Sequence, residues 1–236
     1  MSSSTTKNEQ SRAPLVPRAR YERGEWVADH LQAPIRRLLD VGGFDGNNTR
    51  FSAKKAATTI VVDVNMPALK RGSQLYRPLF FVCASGVKLP FEDAAFDAAT
   101  CIEVIEHVLE GQERELLVEI RRVMKPGAQL VLTTPHKGWF AWLDPLDAKP
   151  KLRRLMGSRE KGHKHFALDE LVSLLDGLFT IELVYRNSLF LHPISTALGK
   201  VDPGWLRPLR YRMSDWDWAH EYGRAAFNAC IVARAI

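Results

Sequence analysis

The chain has 236 residues, 46% hydrophobic and 25% charged, the composition of one folded domain with at most a small addition, which excludes disorder throughout. Its longest uncharged stretch, 187–199, holds Pro193 and is thirteen residues, whereas a membrane span needs roughly 18 or more apolar residues, so no transmembrane helix is expected. The net charge of +6 permits contact with phosphates or an anionic bilayer without requiring it.

Residues 1–20 are Ser/Thr/Pro-rich and carry Lys7, Arg12, Arg18 and Arg20 against Glu9. This segment reads as a disordered basic tail with no secretory signal, and a cytoplasmic location follows as an expectation. From 21 to 236 a single domain is expected. Short β-branched or aliphatic runs alternate with helical stretches, the sign of a parallel sheet with crossover helices on both faces. The expected strands are Arg36–Val41, Thr58–Val64, Leu79–Cys83, Phe96–Ile102, Gln129–Thr134, Phe179–Arg186 and Ala226–Ala233. Helices are expected at Arg23–Leu31, Asn48–Ala56, Pro67–Leu75, Glu110–Met124 and Leu168–Leu175, the fourth stopped by Lys125-Pro126-Gly127. Cys83, Cys101 and Cys230 sit in apolar, strand-like runs without C-x-x-C spacing and are expected to be buried reduced thiols. The block 135–167 breaks the rhythm, because a typical connection is about 4 to 6 residues, and it reads as an insert.

Leu38-Leu39-Asp40-Val41-Gly42-Gly43-Phe44-Asp45-Gly46 is a strand ending in a Gly-rich turn. Gly42, Gly43 and Gly46 lack a Cβ that would block a ligand's approach to the backbone. Asp40 either holds this turn or meets a cationic ligand group. Asp63, at the end of the second strand, is placed to accept from ribose hydroxyls. The glycine spacing is not the G-x-G-x-x-G of dinucleotide enzymes. Turn and acid together point to a nucleoside cofactor without a demanding pyrophosphate site.

These residues resemble the class I S-adenosylmethionine-dependent methyltransferases, particularly the type 11 small-molecule branch. LLDVGGFDG is similar to that family's D-x-G-x-G-x-G, and VVDVN to its second motif, with Asp63 in the ribose-binding role. VKLPFEDAAFDAATCIEVIEHV is similar to the L-P-F-x-D-x-x-F-D run with its following E-H pair, and VMKPGAQLVLTTP to the segment entering the fifth strand. The resemblance spans 35–135 and implies a Rossmann-like, seven-stranded, mostly parallel sheet with an antiparallel last strand. Two residues depart from it. Phe44 replaces the usual middle glycine, either narrowing the turn or pointing outward. Ser85 replaces the usual acid, leaving its hydroxyl and the Gly86 and Val87 backbone to hold the adenine.

The resemblance implies S-adenosyl-L-methionine as cofactor, contacted by Asp40, Gly42, Gly43, Gly46, Asp63, Ser85, Gly86, Val87 and Glu103. Glu103, Glu106 and His107 are spaced i, i+3, i+4, so a helical turn after the fourth strand would set them on one face over the sheet edge. An imidazole titrates at about 6.5 and suits proton removal near neutrality. His107 is therefore a candidate base, or else orders the loop or bonds the cofactor carboxylate. His136, at the tip of the fifth strand, competes for the role. His163 and His165 lack firm partners, and no metal site is expected.

In the insert, Trp139, Phe140, Trp142, Leu143 and Leu146 precede Lys149, Lys151, Arg153, Arg154, Arg159, Lys161 and Lys164. That composition suits a lid over the substrate or, through 137–164, a foot on an anionic membrane. The expected reaction is methyl transfer to an oxygen, with nitrogen or carbon as lesser alternatives, of a small or lipid-linked acceptor. A non-catalytic cofactor-binding subunit is the main rival, motivated by Phe44 and Ser85. Nucleic acid is not expected as a partner, because no RNA-binding module is appended.

Overall fold

A computed structural model describes residues 23–139, 164–189, 212–213 and 216–236. The tail 1–20 and most of the aromatic and basic run, including His163, lie outside the described residues.

The seven apolar runs form one sheet: β1 (Ile35–Val41), β2 (Ala56–Asp63), β3 (Leu79–Cys83), β4 (Phe96–Ile102), β5 (Met124–Pro135), β6 (Phe179–Asn187) and β7 (Asn228–Ala235). The helices are α1 (Arg23–His30), α2 (Thr49–Ser52), α3 (Met66–Leu75), α4 (Glu113–Val123) and α5 (Leu168–Leu175). The strand order is β3-β2-β1-β4-β5-β7-β6. The first five run parallel, and β7 enters antiparallel between β5 and β6. The insert after β5 is present, and its two ends are held together by a bridge between His136 and Phe166.

Buried on both faces, the central strands alternate their allegiance residue by residue. Leu39, Leu130 and Leu132 pack with Leu116, Leu117 and Ile120 of α4 and with Leu171 and Leu175 of α5. Their neighbours Leu38 and Val131 turn to the other face, against Trp26, Val27 and Leu31. This two-sided burial is why these strands read as nearly continuous hydrophobic runs.

Several expectations are corrected. The helix expected over Asn48–Ala56 is cut to four residues of α2 and a 3₁₀ turn, Ala53–Lys55, because Ala56 already pairs with Ile35 in the β1–β2 ladder. The fourth helix starts at Glu113 and ends at Val123. β5 begins at Met124, opposite Phe96, and resumes the ladder at Gln129 opposite Ala98. Pro126 has no N–H for a ladder and Gly127 takes φ 76, so the expected turn is an irregularity within the strand. Cys83 is exposed, unlike Cys101 and Cys230, since β3 is an edge strand. The segment after β4 is a set of turns, with Glu103 at φ 56 and the His107 amide donating to the Val104 carbonyl at 2.8 Å. Glu103, Glu106 and His107 do not share a helical face.

Candidate active site

The connections run from β1 outward to β2 and β3 on one side, and to β4 and β5 on the other. At such a reversal the loops diverge and leave a crevice at the carboxyl ends of the strands. A cleft of about 810 Å³ opens there, lined by residues of the turn after β1, by Asp63, by 84–87 after β3 and by the turns after β4.

On the β4 and β5 side the polar groups are side chains. Glu103 accepts from the Thr133 hydroxyl at 3.0 Å and pairs with Arg23 of α1 at 3.3 Å. Glu106 is buried and accepts from the Thr134 hydroxyl at 3.1 Å. Burial, with the negative charge of Glu103 beside it, pushes its carboxyl well above the ordinary range. His107 lines the cleft with its Nε2 3.9 Å from Glu106 Oε1. His136 is elsewhere: 4% exposed, its Nδ1 lies 3.1 Å from the Phe166 carbonyl and its amide donates to the Phe227 carbonyl at 2.6 Å. It does not line the cleft. Burial holds its pKa below the ordinary imidazole value, against the pull of the Phe166 bond.

On the β1 and β2 side the backbone dominates. The Gly42 and Gly43 amides donate to the Val62 carbonyl at 2.7 and 3.3 Å. Gly42 sits at φ 73, where a Cβ would run into Val104, and a Cβ on Gly43 would meet Asp40 Oδ2 at 2.5 Å. The turn's own packing thus demands these glycines. Gly46 packs against Leu79 and does not line the cleft. Asp40, 1% exposed, accepts from the Thr49 hydroxyl and, at 2.7 Å, from the Thr100 hydroxyl. These bonds tie the turn to α2 and β4. Burial raises the Asp40 pKa to about 6, more than those two bonds lower it.

Phe44 adopts a left-handed backbone conformation, at φ 53. Its amide donates to Asp63 Oδ2 at 2.9 Å, and Asp63 Oδ1 accepts from the Asn65 amide at 2.7 Å. The ring points outward, 46% exposed, with the Arg71 guanidinium 5.3 Å from its centroid. Asp63, fixed by two amides and facing the cleft, retains lone pairs for a ribose diol. α2, with four residues, is too short to offer a pyrophosphate the N-terminus that dinucleotide sites use. The residues present fit a nucleoside, and among the described residues no three His, Cys, Asp or Glu are grouped to hold a metal ion.

Residues 39–132 match the family described as a methyltransferase domain, type 11. Those residues form a class I S-adenosylmethionine-dependent methyltransferase domain. An uncharacterized methyltransferase of Mycobacterium tuberculosis is 32% identical over 144 residues, 60% of this chain and 50% of that protein. A demethylmenaquinone methyltransferase of Corynebacterium urealyticum is 29% identical over 141 residues, 57% and 60% respectively. The chain therefore matches about half the length of the first of these curated relatives. Among solved structures, the cyclase SpnF shares the fold with a TM-score of 0.63 at 21% identity, over 90% of this chain and 80% of that one.

The cleft gathers Asp40, Gly42, Gly43, Asp63, Ser85, Gly86, Val87, Glu103 and His107, and leaves out Gly46 and His136. Sequence reasoning missed Val64, Leu109 and Gln112, which also line it. The exposure of Val64 and Leu109, 71% and 68%, carries no periodic signal, since both follow strand ends. It also missed the tie between Lys164 and Glu113, 2.8 Å, which neutralises the last cation of the basic run.

Proposed function

We propose that this methyltransferase moves the sulfonium methyl of S-adenosylmethionine to an oxygen of a small or lipid-linked acceptor, with His107 taking the acceptor's proton. The observation that carries the reading is that one cleft joins the Asp63 carboxylate to the His107 imidazole. When bound, the cofactor supplies a methyl group already attached to a good leaving group. The protein's share is to hold nucleophile and methyl in line, which can supply roughly 7–11 kcal/mol, and to remove a proton. Three apolar residues on the cleft wall, Phe44, Val64 and Leu109, face solvent, which suits an acceptor with hydrocarbon beside its nucleophile. The name of the relative in Corynebacterium urealyticum supports the same class.

Incubating the protein with cell extract and isotopically labelled S-adenosylmethionine, followed by mass spectrometry, identifies the acceptor and the atom that gains the methyl. Label on carbon or nitrogen would replace the oxygen in this reading. His107→Ala is expected to lower turnover by about 10²-fold or more and to leave cofactor affinity within a few-fold.

A second reading, a cofactor-binding protein without turnover, draws on Phe44 and Ser85, since fold does not fix activity. Binding of S-adenosylhomocysteine with no labelled product from any extract would favour it. The insert adds a membrane foot or lid to the proposal. Trp139, at the start of its aromatic run, is 67% exposed. Sedimentation with anionic liposomes that weakens with salt, and is lost on replacing Trp139 and Trp142 by Ala, is expected of the foot. No sedimentation at low salt leaves the lid.

A further inference from the structure

The Glu106 carboxyl plays no part in the reading above, although its burial is difficult to explain as packing. Its side chain is fully covered. Oε2 accepts from Thr134, and Oε1 has no hydrogen-bond partner. A buried acid with one unsatisfied oxygen is costly to keep, and an apolar side chain of similar size would avoid that cost. The polar group that Oε1 does approach is the imidazole of the next residue, with His107 Nε2 at 3.9 Å. That is longer than a hydrogen bond, but a small side-chain rotation closes it, and catalytic hydrogen bonds often tighten only when reactants are in place.

We propose that Glu106 is a positioning residue for His107: its carboxylate receives the Nε2–H, which fixes the ring's tautomer and makes Nδ1 the basic atom presented to the acceptor. The inference rests on His107 as the base. In the step it serves, the acceptor's O–H bond breaks as its oxygen bonds the methyl carbon. The C–S bonding pair stays on sulfur, and the proton goes to Nδ1. The resulting imidazolium is held beside the Glu106 carboxylate until the proton passes to solvent, to which the His107 side chain is 52% exposed.

The groups that act on Glu106 come from three elements. Glu103 and Cys101 follow or belong to β4 and oppose its ionisation or are opposed by it, Arg23 of α1 favours ionisation, and Thr134 of β5 donates to it. Burial outweighs the others, so the Glu106 carboxyl keeps its proton to higher pH than an ordinary carboxyl does. The arrangement proposed is complete only once that carboxyl is ionised.

Nitrogen-15 NMR of the full chain with ring-labelled histidine and bound S-adenosylhomocysteine tests this without an acceptor. At about pH 8.5, above an ordinary imidazole's titration, wild-type His107 is expected as the Nε2–H tautomer. Glu106→Gln keeps an oxygen for Thr134 but turns a donor toward Nε2, and is expected to switch the ring to Nδ1–H. Its turnover on the identified acceptor should fall about 10²-fold, with S-adenosylhomocysteine affinity unchanged within twofold. Glu106→Asp is expected to retain the wild-type tautomer. An Nδ1–H ring in the wild type, or one tautomer shared by the wild type and Glu106→Gln, overturns the proposal. Full turnover by His107→Ala, with the tautomer switch intact, overturns the base reading instead.

Discussion

At the carboxyl ends of β1 and β2 the site is largely made of backbone: two amides on the Val62 carbonyl, and two more on the Asp63 carboxylate. Beyond β4 it is made of side chains drawn from distant parts of the chain, with Arg23 and Thr133 on Glu103 and Thr134 on Glu106. In the function proposed above the first half serves the cofactor, and a backbone scaffold is a way of keeping that site while side chains vary. The second half serves the acceptor. Side chains specify it, and side chains can be exchanged.

The largest expected effect tests whether the first half tolerates its one buried acid. Asp40 titrates at about 6 in the folded chain against an ordinary 3.8. Because the folded value is the higher one, the destabilisation is absent below about pH 4, grows as the pH rises, and is complete above about pH 6. The two-unit gap corresponds to ~3 kcal/mol. Denaturant melts should show wild-type stability falling by that order, relative to Asp40→Asn, between about pH 4 and 7. Parallel curves would mean that the threonine bonds offset burial entirely.

Next in size is Asp63→Ala, which removes a charged acceptor and should weaken S-adenosylhomocysteine binding by about 1.5–3 kcal/mol in calorimetry. An equal loss from Glu103→Ala would erase the contrast between the halves.

Phe44→Gly should act on stability in the opposite sense. A left-handed non-glycine residue costs roughly 1–2 kcal/mol, partly offset by glycine's greater freedom when unfolded, so the variant is expected to gain up to about 1 kcal/mol. A loss of stability would mean that the Arg71 contact outweighs the strained backbone.

The smallest effect concerns His136. Its folded pKa is lowered, so the neutral ring stabilises the fold above its unfolded value, and that contribution is lost as the pH falls below about 6.5. His136→Gln should flatten the stability curve on that acidic flank. An unchanged flank would show that the Phe166 bond survives protonation.

The same division explains what could be read from the sequence. Strands buried on both faces announce themselves as runs such as Thr58 to Val62, and the turn at Gly42 has a local pattern because its constraints are local. The Lys125–Gly127 stop signal marks the end of the fourth helix, but not that it lies inside β5, because Met124 pairs across the sheet with Phe96, a non-local fact. Glu106 looked like one face of a helix. Its burial depends on Thr134 and on a left-handed Glu103, neither of which leaves a mark on the spacing. His136 looked like a second base because strand tips commonly carry chemistry, but a bridge to Phe166, thirty residues on, turns it inward.

The place of β7 between β5 and β6 bears on how the polypeptide acquires this shape during synthesis. Among the described residues β6 pairs with β7 alone, and residues 188–227 must be made before that neighbour exists. Until then β5 ends the parallel sheet as a bare edge, with Leu130 to Leu132 offering unpaired amides and carbonyls to any other nascent strand. A parallel sheet whose closing pairs are this far apart in sequence forms slowly. A ribosome-bound intermediate lacking β7 is therefore the species in which this protein is most open to misassembly or chaperone capture.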